Sequence, residues 1–340
     1  MPKSAEERIE NALRELDVSQ DFRISAQFVS EVLGLIADDP DLLDLKIASA
    51  AVTEMRDAFA VFKPYRDVRK VTIFGSARTK PDDPLYEQTR RVAEQLAAAG
   101  WMVVTGAGPG IMQAGMEGAG RDQSIGVSIR LPFEAGANSI IADDDKHVAM
   151  KYFFTRKLML VKESSAFVCM PGGFGTLDET FELLTLTQTG KGIPVPIVFL
   201  DLPGDPYWEQ VHAFVEEQLV SRGLVSAADT TLYKITGSCT EAATEIEHFY
   251  ANYHSIRQIG DELLIRLQYE PTAAQLAELN ERFGHLVSEG TIRSTRAFDI
   301  ERRQNDVPDL PRLALRFNQR GYAELRTLID CVNSWVTPSC

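Results

Sequence analysis

The sequence predicts an α/β fold: a doubly wound parallel sheet with helices on both faces, a helical arm before it and a small α+β appendage after it. Three observations predict this. From residue 69 onward, short runs rich in Val, Ile and Phe alternate with amphipathic stretches, the pattern of strands covered on both sides by helices. Glycine-rich turns directly follow several of those runs, where open parallel sheets bind ligands. The rhythm is absent from the first 66 residues and changes again after Gly260.

Taken in order, Ile9, Leu13 and Leu16 recur at helical spacing behind Ser4, an N-cap candidate with Glu7 three residues on. A second helix is expected over 24–36, before the turn Asp38-Asp39-Pro40, and a third over 42–62, stopped by Lys63-Pro64. Packing or oligomerisation is the role expected of such an arm. The main domain then reads as strands over 71–74, 101–105, 124–129, 166–170, 196–200 and 231–235. Helices are expected over 84–99, 110–120, 147–162, 176–189, 206–221 and 239–256. The tail reads as a strand over 263–269, a helix over 272–288, strands over 292–300 and 313–317, and a helix over 322–335. The domain boundaries expected are therefore 1–66, 67–258 and 259–340.

Composition narrows the function. A formal net charge of -14 opposes nucleic acid as a partner, while leaving a small anionic ligand open to the local field. No apolar run approaches the ~20 residues of a membrane span, and the start Met-Pro-Lys-Ser-Ala has no hydrophobic signal core; a cytoplasmic protein is expected. Cys169, Cys239, Cys331 and Cys340 form no CxxC and read as reduced structural thiols. The five histidines lack metal-ligand spacing, so no metal site is expected.

Residues 171–179, Pro-Gly-Gly-Phe-Gly-Thr-Leu-Asp-Glu, carry the strongest signal. Gly172, Gly173 and Gly175 let backbone approach a ligand closely. The helix expected from Thr176 would offer unpaired N–H groups to a phosphate, with Glu179 one turn inside. Thr176 and Glu179 also fit a capping box, in which the glutamate merely satisfies a backbone donor. Upstream, Phe153-Phe154-Thr155-Arg156-Lys157 places adjacent cations on a helix, one able to reach a site while the other stays solvated. Gly75-Ser76-Ala77-Arg78 ends the first strand and can present N–H groups and a hydroxyl. Gly106-Ala107-Gly108-Pro109-Gly110-Ile111-Met112 resembles a dinucleotide fingerprint but has Ile111 where the last glycine belongs. It reads as a phosphate or nucleotide contact, or as a tight strand-to-helix turn.

Residues 171–179 match the signature PGGxGTxxE at every fixed position. Together with the upstream Arg-Lys and the two earlier glycine segments, they make residues 70–250 resemble the Lonely Guy (LOG) family of cytokinin-activating enzymes, often mislabelled lysine decarboxylases. The resemblance implies a Rossmann-like domain that hydrolyses the N-glycosidic bond of nucleoside 5′-monophosphates to free base and ribose 5-phosphate. By position, Glu179 and Arg156 become the catalytic pair, and Gly172, Gly173, Gly175 and Thr176 hold the 5′-phosphate. Gly75, Ser76, Gly108, Gly110, Met112 and Lys157 join the substrate contacts, with Glu134 a looser match. The substrates implied are purine nucleotides such as AMP, with N6-modified ones (a cytokinin-forming role) or general salvage as the alternatives. No organic cofactor is implied, and a homodimer or higher homo-oligomer is.

Departure of the base builds positive charge at C1′, which a carboxylate can stabilise while it orients or deprotonates water. Arg156 stays protonated and so positions groups rather than donating a proton. The decarboxylase label would need pyridoxal phosphate on Lys157 or Lys191, without any accompanying cofactor motif. The competing readings are a non-catalytic nucleotide-binding or carrier protein on the same fold, and an interaction module in the terminal segments with activity secondary.

Overall fold

The computed structural model describes residues 5–16, 21–130 and 136–336; the Ser4 cap, Glu134 and Cys340 lie outside them. The chain divides into two compact units, Met1–Asp57 and Ala58–Cys340. The first holds α1 (Ala5–Glu15), α2 (Phe22–Ala37) and most of α3 (Leu42–Phe62). Asp21 caps α2 by accepting from the N–H groups of Arg23 and Ile24. No residue of α2 is buried although most of them are apolar.

The second unit carries the sheet: β1 (Lys70–Phe74), α4 (Pro84–Ala98), β2 (Met102–Thr105), α5 (Ile111–Ala119), β3 (Ser124–Ile129), β4 (His147–Met150), α6 (Phe153–Lys162), β5 (Ala166–Cys169), α7 (Phe174–Gln188), β6 (Ile197–Leu200), α8 (Tyr207–Phe214), β7 (Lys234–Thr236) and α9 (Cys239–His248). Its seven strands lie in the order β4-β3-β2-β1-β5-β6-β7, all parallel. This is the α/β, doubly wound, Rossmann-like sheet expected. β1, β2, β5 and β6 are buried at every position, which explains why they read as unbroken apolar runs. The chain builds outward from β1 to β4, then crosses back to lay β5 against β1. The order therefore reverses between β1 and β5, and a crevice opens beyond their carboxyl ends.

Several element boundaries differ from the sequence reading. Residues 147–150 form the edge strand β4, not the start of a helix; α6 begins at Phe153. The alternating burial of β4 is too short to outweigh the apolar run that follows it. The last strand of the sheet is Lys234–Thr236, since residues 227–232 form a 3-10 turn closed by a Ser226–Asp229 capping box. α9 ends at His248, and Tyr253 opens a strand of the second sheet because Asn333 Oδ1 accepts from the N–H groups of Asn252 and Tyr253. Finally, α7 begins at Phe174, two residues ahead of the start read from sequence.

The second sheet is antiparallel, in the order β10-β11-β9-β8, from β8 (Tyr253–Ile259), β9 (Glu262–Leu267), β10 (Val287–Thr295) and β11 (Arg312–Phe317). α10 (Ala273–Phe283), α11 (Asp299–Gln304) and α12 (Tyr322–Ser334) complete it. Gly260, at φ +57, closes the β8–β9 hairpin. β8 has no counterpart in the sequence reading; the helix expected over 272–288 ends at Phe283, and the strand expected over 292–300 runs instead from Val287 to Thr295, where a short loop leads into α11. The two sheets have separate apolar cores, one around Ile73, Val103, Val168 and Val198, the other around Ile265, Leu279, Leu315 and Leu328.

Candidate active site

A cleft of about 800 Å³ opens at the reversal of strand order. It is lined by the turn after β1 (Gly75, Ser76, Arg78), by Gly106 after β2, by Met112 on α5, by Phe153, Arg156 and Lys157 on α6, and by Gly172–Glu179. The β1 and β5 turns are tied together: Met170 N donates to the Phe74 carbonyl at 2.8 Å and Ser76 N to that of Pro171 at 3.3 Å. The Ser76 N–H is thus occupied, and its Oγ accepts from Arg78 N.

Gly173 is the N-cap of α7, so Thr176 and Glu179 lie inside the helix. The capping-box reading of this pair is therefore replaced. Glu179 instead faces α6, where Arg156 Nη1 approaches its Oε1 at 3.3 Å. Arg156 is fixed at its other edge by Nε donating to the Val127 carbonyl at 3.1 Å. Both side chains are nearly enclosed, at 11% and 13% exposure. Burial pushes the Glu179 carboxyl up to about 7; Arg156 and Lys157 oppose this, and Asp178 and Glu182 add to it. A carboxyl so placed can carry either charge state near neutrality. Cys169, directly below, is buried and pushed up to about 12, which keeps it an inert thiol.

Lys157 is not the solvated member of a pair. Its Nζ meets Asp178 Oδ2 at 2.8 Å and Glu182 Oε2 at 2.6 Å. Burial lowers its pKa, but the two carboxylates outweigh that and leave it raised. A lysine so held as a cation is unsuited to forming a Schiff base, and Lys191 does not line the cleft. The residues present therefore do not fit pyridoxal phosphate.

The glycines divide by what a side chain would meet. At Gly75 a Cβ would lie 2.5 Å from Ile111, and at Gly172 2.2 Å from Thr176 Oγ1; both permit close packing of the turns. Around Gly173 and Gly175 there is no protein atom within 4 Å of a Cβ, so those positions leave room for a ligand over the first N–H groups of α7. Gly108 and Gly110 do not line the cleft. The Gly108 carbonyl accepts from Asn138, and Gly110, at φ +66, lies against the Ser76 carbonyl.

Several residues here escaped the sequence reading. Gly106 makes room for the guanidinium, since a Cβ there would lie 2.2 Å from Arg156 Nη2. Tyr207 donates from its hydroxyl to the Gly172 carbonyl at 2.6 Å and pins the glycine turn; no sequence signal marks it, because β6 and α8 bring it in from outside the motif. Arg78 lies within a quoted motif, but only the cleft reveals its place. Phe174 projects with 94% exposure beside the half-exposed Phe153, giving the cleft an aromatic rim. Among the described residues no His/Cys/Asp/Glu group could hold a metal ion, and no helix is long and apolar enough to cross a membrane.

Residues 110–246 match the family model described as "Possible lysine decarboxylase". The chain is 30% identical over 99 residues to the probable cytokinin riboside 5′-monophosphate phosphoribohydrolase LOGL3 of Oryza sativa subsp. japonica, covering 29% of this chain and 44% of that protein. It is 28% identical over 101 residues to the cytokinin riboside 5′-monophosphate phosphoribohydrolase LOG1 of Arabidopsis thaliana, covering 30% and 46%. The chain thus spans about half the length of the curated relatives it matches. These matches bear out the resemblance to the LOG family. Similar solved structures include the molybdenum cofactor carrier protein from Chlamydomonas reinhardtii, at 19% identity and TM-score 0.37, covering 53% of this chain and 96% of that one. DNA processing protein A from Helicobacter pylori is 16% identical at TM-score 0.37, covering 52% and 79%.

Proposed function

We propose that the protein hydrolyses nucleoside 5′-monophosphates, purine nucleotides first among them, to free base and ribose 5-phosphate. The observation that carries this reading is the enclosed Glu179–Arg156 pair beside an open glycine turn at a helix N-terminus. The phosphate occupies the space over Gly173, Gly175 and the first N–H groups of α7. Its binding energy then fixes the ribose where it meets Glu179.

In the reaction the C1′–N bond breaks with its electron pair leaving on the base, which takes up a proton. Water oxygen bonds to C1′ and gives its proton to Glu179. The ionised carboxylate also stabilises the positive charge that builds at C1′. Arg156 orients the carboxylate by a charge-assisted hydrogen bond, Lys157 holds α6 to α7 through its two carboxylate partners, and Tyr207 keeps the glycine turn in place. On this reading the enzyme is a homodimer or larger, as the resemblance implies.

Incubation with AMP, followed by chromatography for adenine, tests the proposal. Adenine release that is lost in Glu179→Gln while AMP still binds is the outcome expected. Binding of AMP without release in the unaltered protein would make it a nucleotide carrier. Extending the assay to CMP, GMP and an N6-isopentenyl nucleotide sets the base preference.

A further inference from the structure

We propose a second anion-binding site, for a nucleoside phosphate, at the end of the parallel sheet opposite the cleft, between the C-terminal ends of α3 and α6. A cavity of about 410 Å³ lies there, lined by Phe59, Phe62, Lys63, Arg66, Lys162 and Glu163. These residues precede β1 and β5, whereas the cleft follows them. Three cations face one carboxylate in a chain whose net charge is -14, so the patch runs against the field of the whole molecule.

Lys63 and Arg66 are exposed and form no ion pair among the described residues. Lys162 reaches Glu163 Oε1 at 2.5 Å, and its Nζ stands 5.2 Å from the centre of the Phe59 ring. Lys70, nearby, is spent on the carbonyls of Tyr65 and Val68. The remaining charge suits a phosphate ester, which Lys and Arg bind by charge-assisted hydrogen bonds. The ring of Phe59, 41% exposed over the buried Phe62, offers a face on which a base can stack. A nucleoside phosphate satisfies both features.

The site has a lever on the cleft. α6 carries Arg156 and Lys157 at one end and Lys162 at the other, roughly 9 Å of helical rise apart. A phosphate that draws Lys162 from Glu163 acts on the last turn of the helix that positions Glu179's partner.

The probe is ADP, titrated calorimetrically into the Gly173→Val protein, in which the new side chain stands in the space proposed for the phosphate in the cleft. One ADP should bind per chain, and adding Lys63→Ala and Arg66→Ala should weaken it about tenfold or more without lowering the thermal midpoint. Inorganic pyrophosphate, lacking the ring, should bind at least about tenfold more weakly than ADP. Loss of all ADP binding in Gly173→Val, or unchanged affinity in the Lys63/Arg66 variant, would overturn the site. Equal affinity for pyrophosphate would overturn its nucleoside part. Should Gly173→Val fail to fold, the unaltered chain gives the same answer: two ADP per chain, falling to one on Lys63→Ala/Arg66→Ala, supports the site, and no change refutes it.

Discussion

Glu179 has opposite consequences for stability and for activity. Its carboxyl is raised from the ordinary 4.5 to about 7, chiefly by burial. The native state therefore binds more protons than the unfolded chain between these values, and stability falls as the pH rises through that window. Glu179→Gln carries no such charge. Its melting midpoint should match the parent near pH 4.5 and exceed it above pH 7, by ~1–3 kcal/mol of stability. Turnover should fall by about 10²–10⁴-fold in the same variant. For the parent, kcat/KM should rise with pH and level off above about 7, as the carboxylate forms. Arg156→Ala removes the cation that holds Glu179 down, so that rising limb should move to higher pH. A limb that stays in place would remove Glu179 from the titration. Gly173→Val offers the complementary test: no protein atom obstructs the new side chain, so AMP affinity should drop about tenfold or more while the melting midpoint holds.

The site depends on three turns converging rather than on one motif. Gly106 belongs to β2's turn, yet what it accommodates is a guanidinium from α6. Gly106→Ala should evict that guanidinium, lowering kcat/KM nearly as far as Arg156→Ala does, because only the flexible end of the arginine and Met112 need move to keep the fold. Activity close to the parent's would show that Arg156 works from another position. Tyr207 links α8 to the same assembly by one hydrogen bond to Gly172. Tyr207→Phe should raise KM for AMP severalfold, with a stability change of about 1 kcal/mol.

At the scale of the Ala58–Cys340 unit, the antiparallel sheet braces the helix that bears Glu179. Gly190, at φ +67 just beyond α7, lies where a Cβ would meet the Tyr322 ring on α12 at 1.9 Å. Arg326 of α12, 6% exposed, reaches Glu245 of α9 at 2.7 Å and lies over the Phe249 ring at 4.5 Å. The buried Arg266–Glu301–Arg312 cluster locks β9, α11 and β11 together. Glu301→Gln would take the carboxylate from Arg312, which is left with backbone carbonyls, and leave Arg266 with Asp306; this should cost about 3–5 kcal/mol. Urea unfolding followed by far-UV dichroism and by tryptophan fluorescence should still give coincident curves, since α12 contacts both layers. Separate transitions would show that the two sheets fold independently.

Some of this molecule is fixed by short-range chemistry and is therefore readable in the chain itself. The apolar runs of β1, β2, β5 and β6, the stop at Lys63-Pro64 and the glycine signature at 171–179 each act through neighbours a few residues away. What only the tertiary structure decided arises from contacts between distant segments. β4 exists because it pairs with β3, and β8 because Asn333, some eighty residues on, takes up two backbone donors at its start. Thr176-Leu177-Asp178-Glu179 is locally a good capping box. The helix nonetheless begins two residues earlier, and Glu179 turns to Arg156, because burying both charges unpaired would cost more than a cap provides. The same holds for the partners of Lys157, the place of Gly106 and the hydroxyl of Tyr207: a sequence specifies the groups, and packing determines which of them meet.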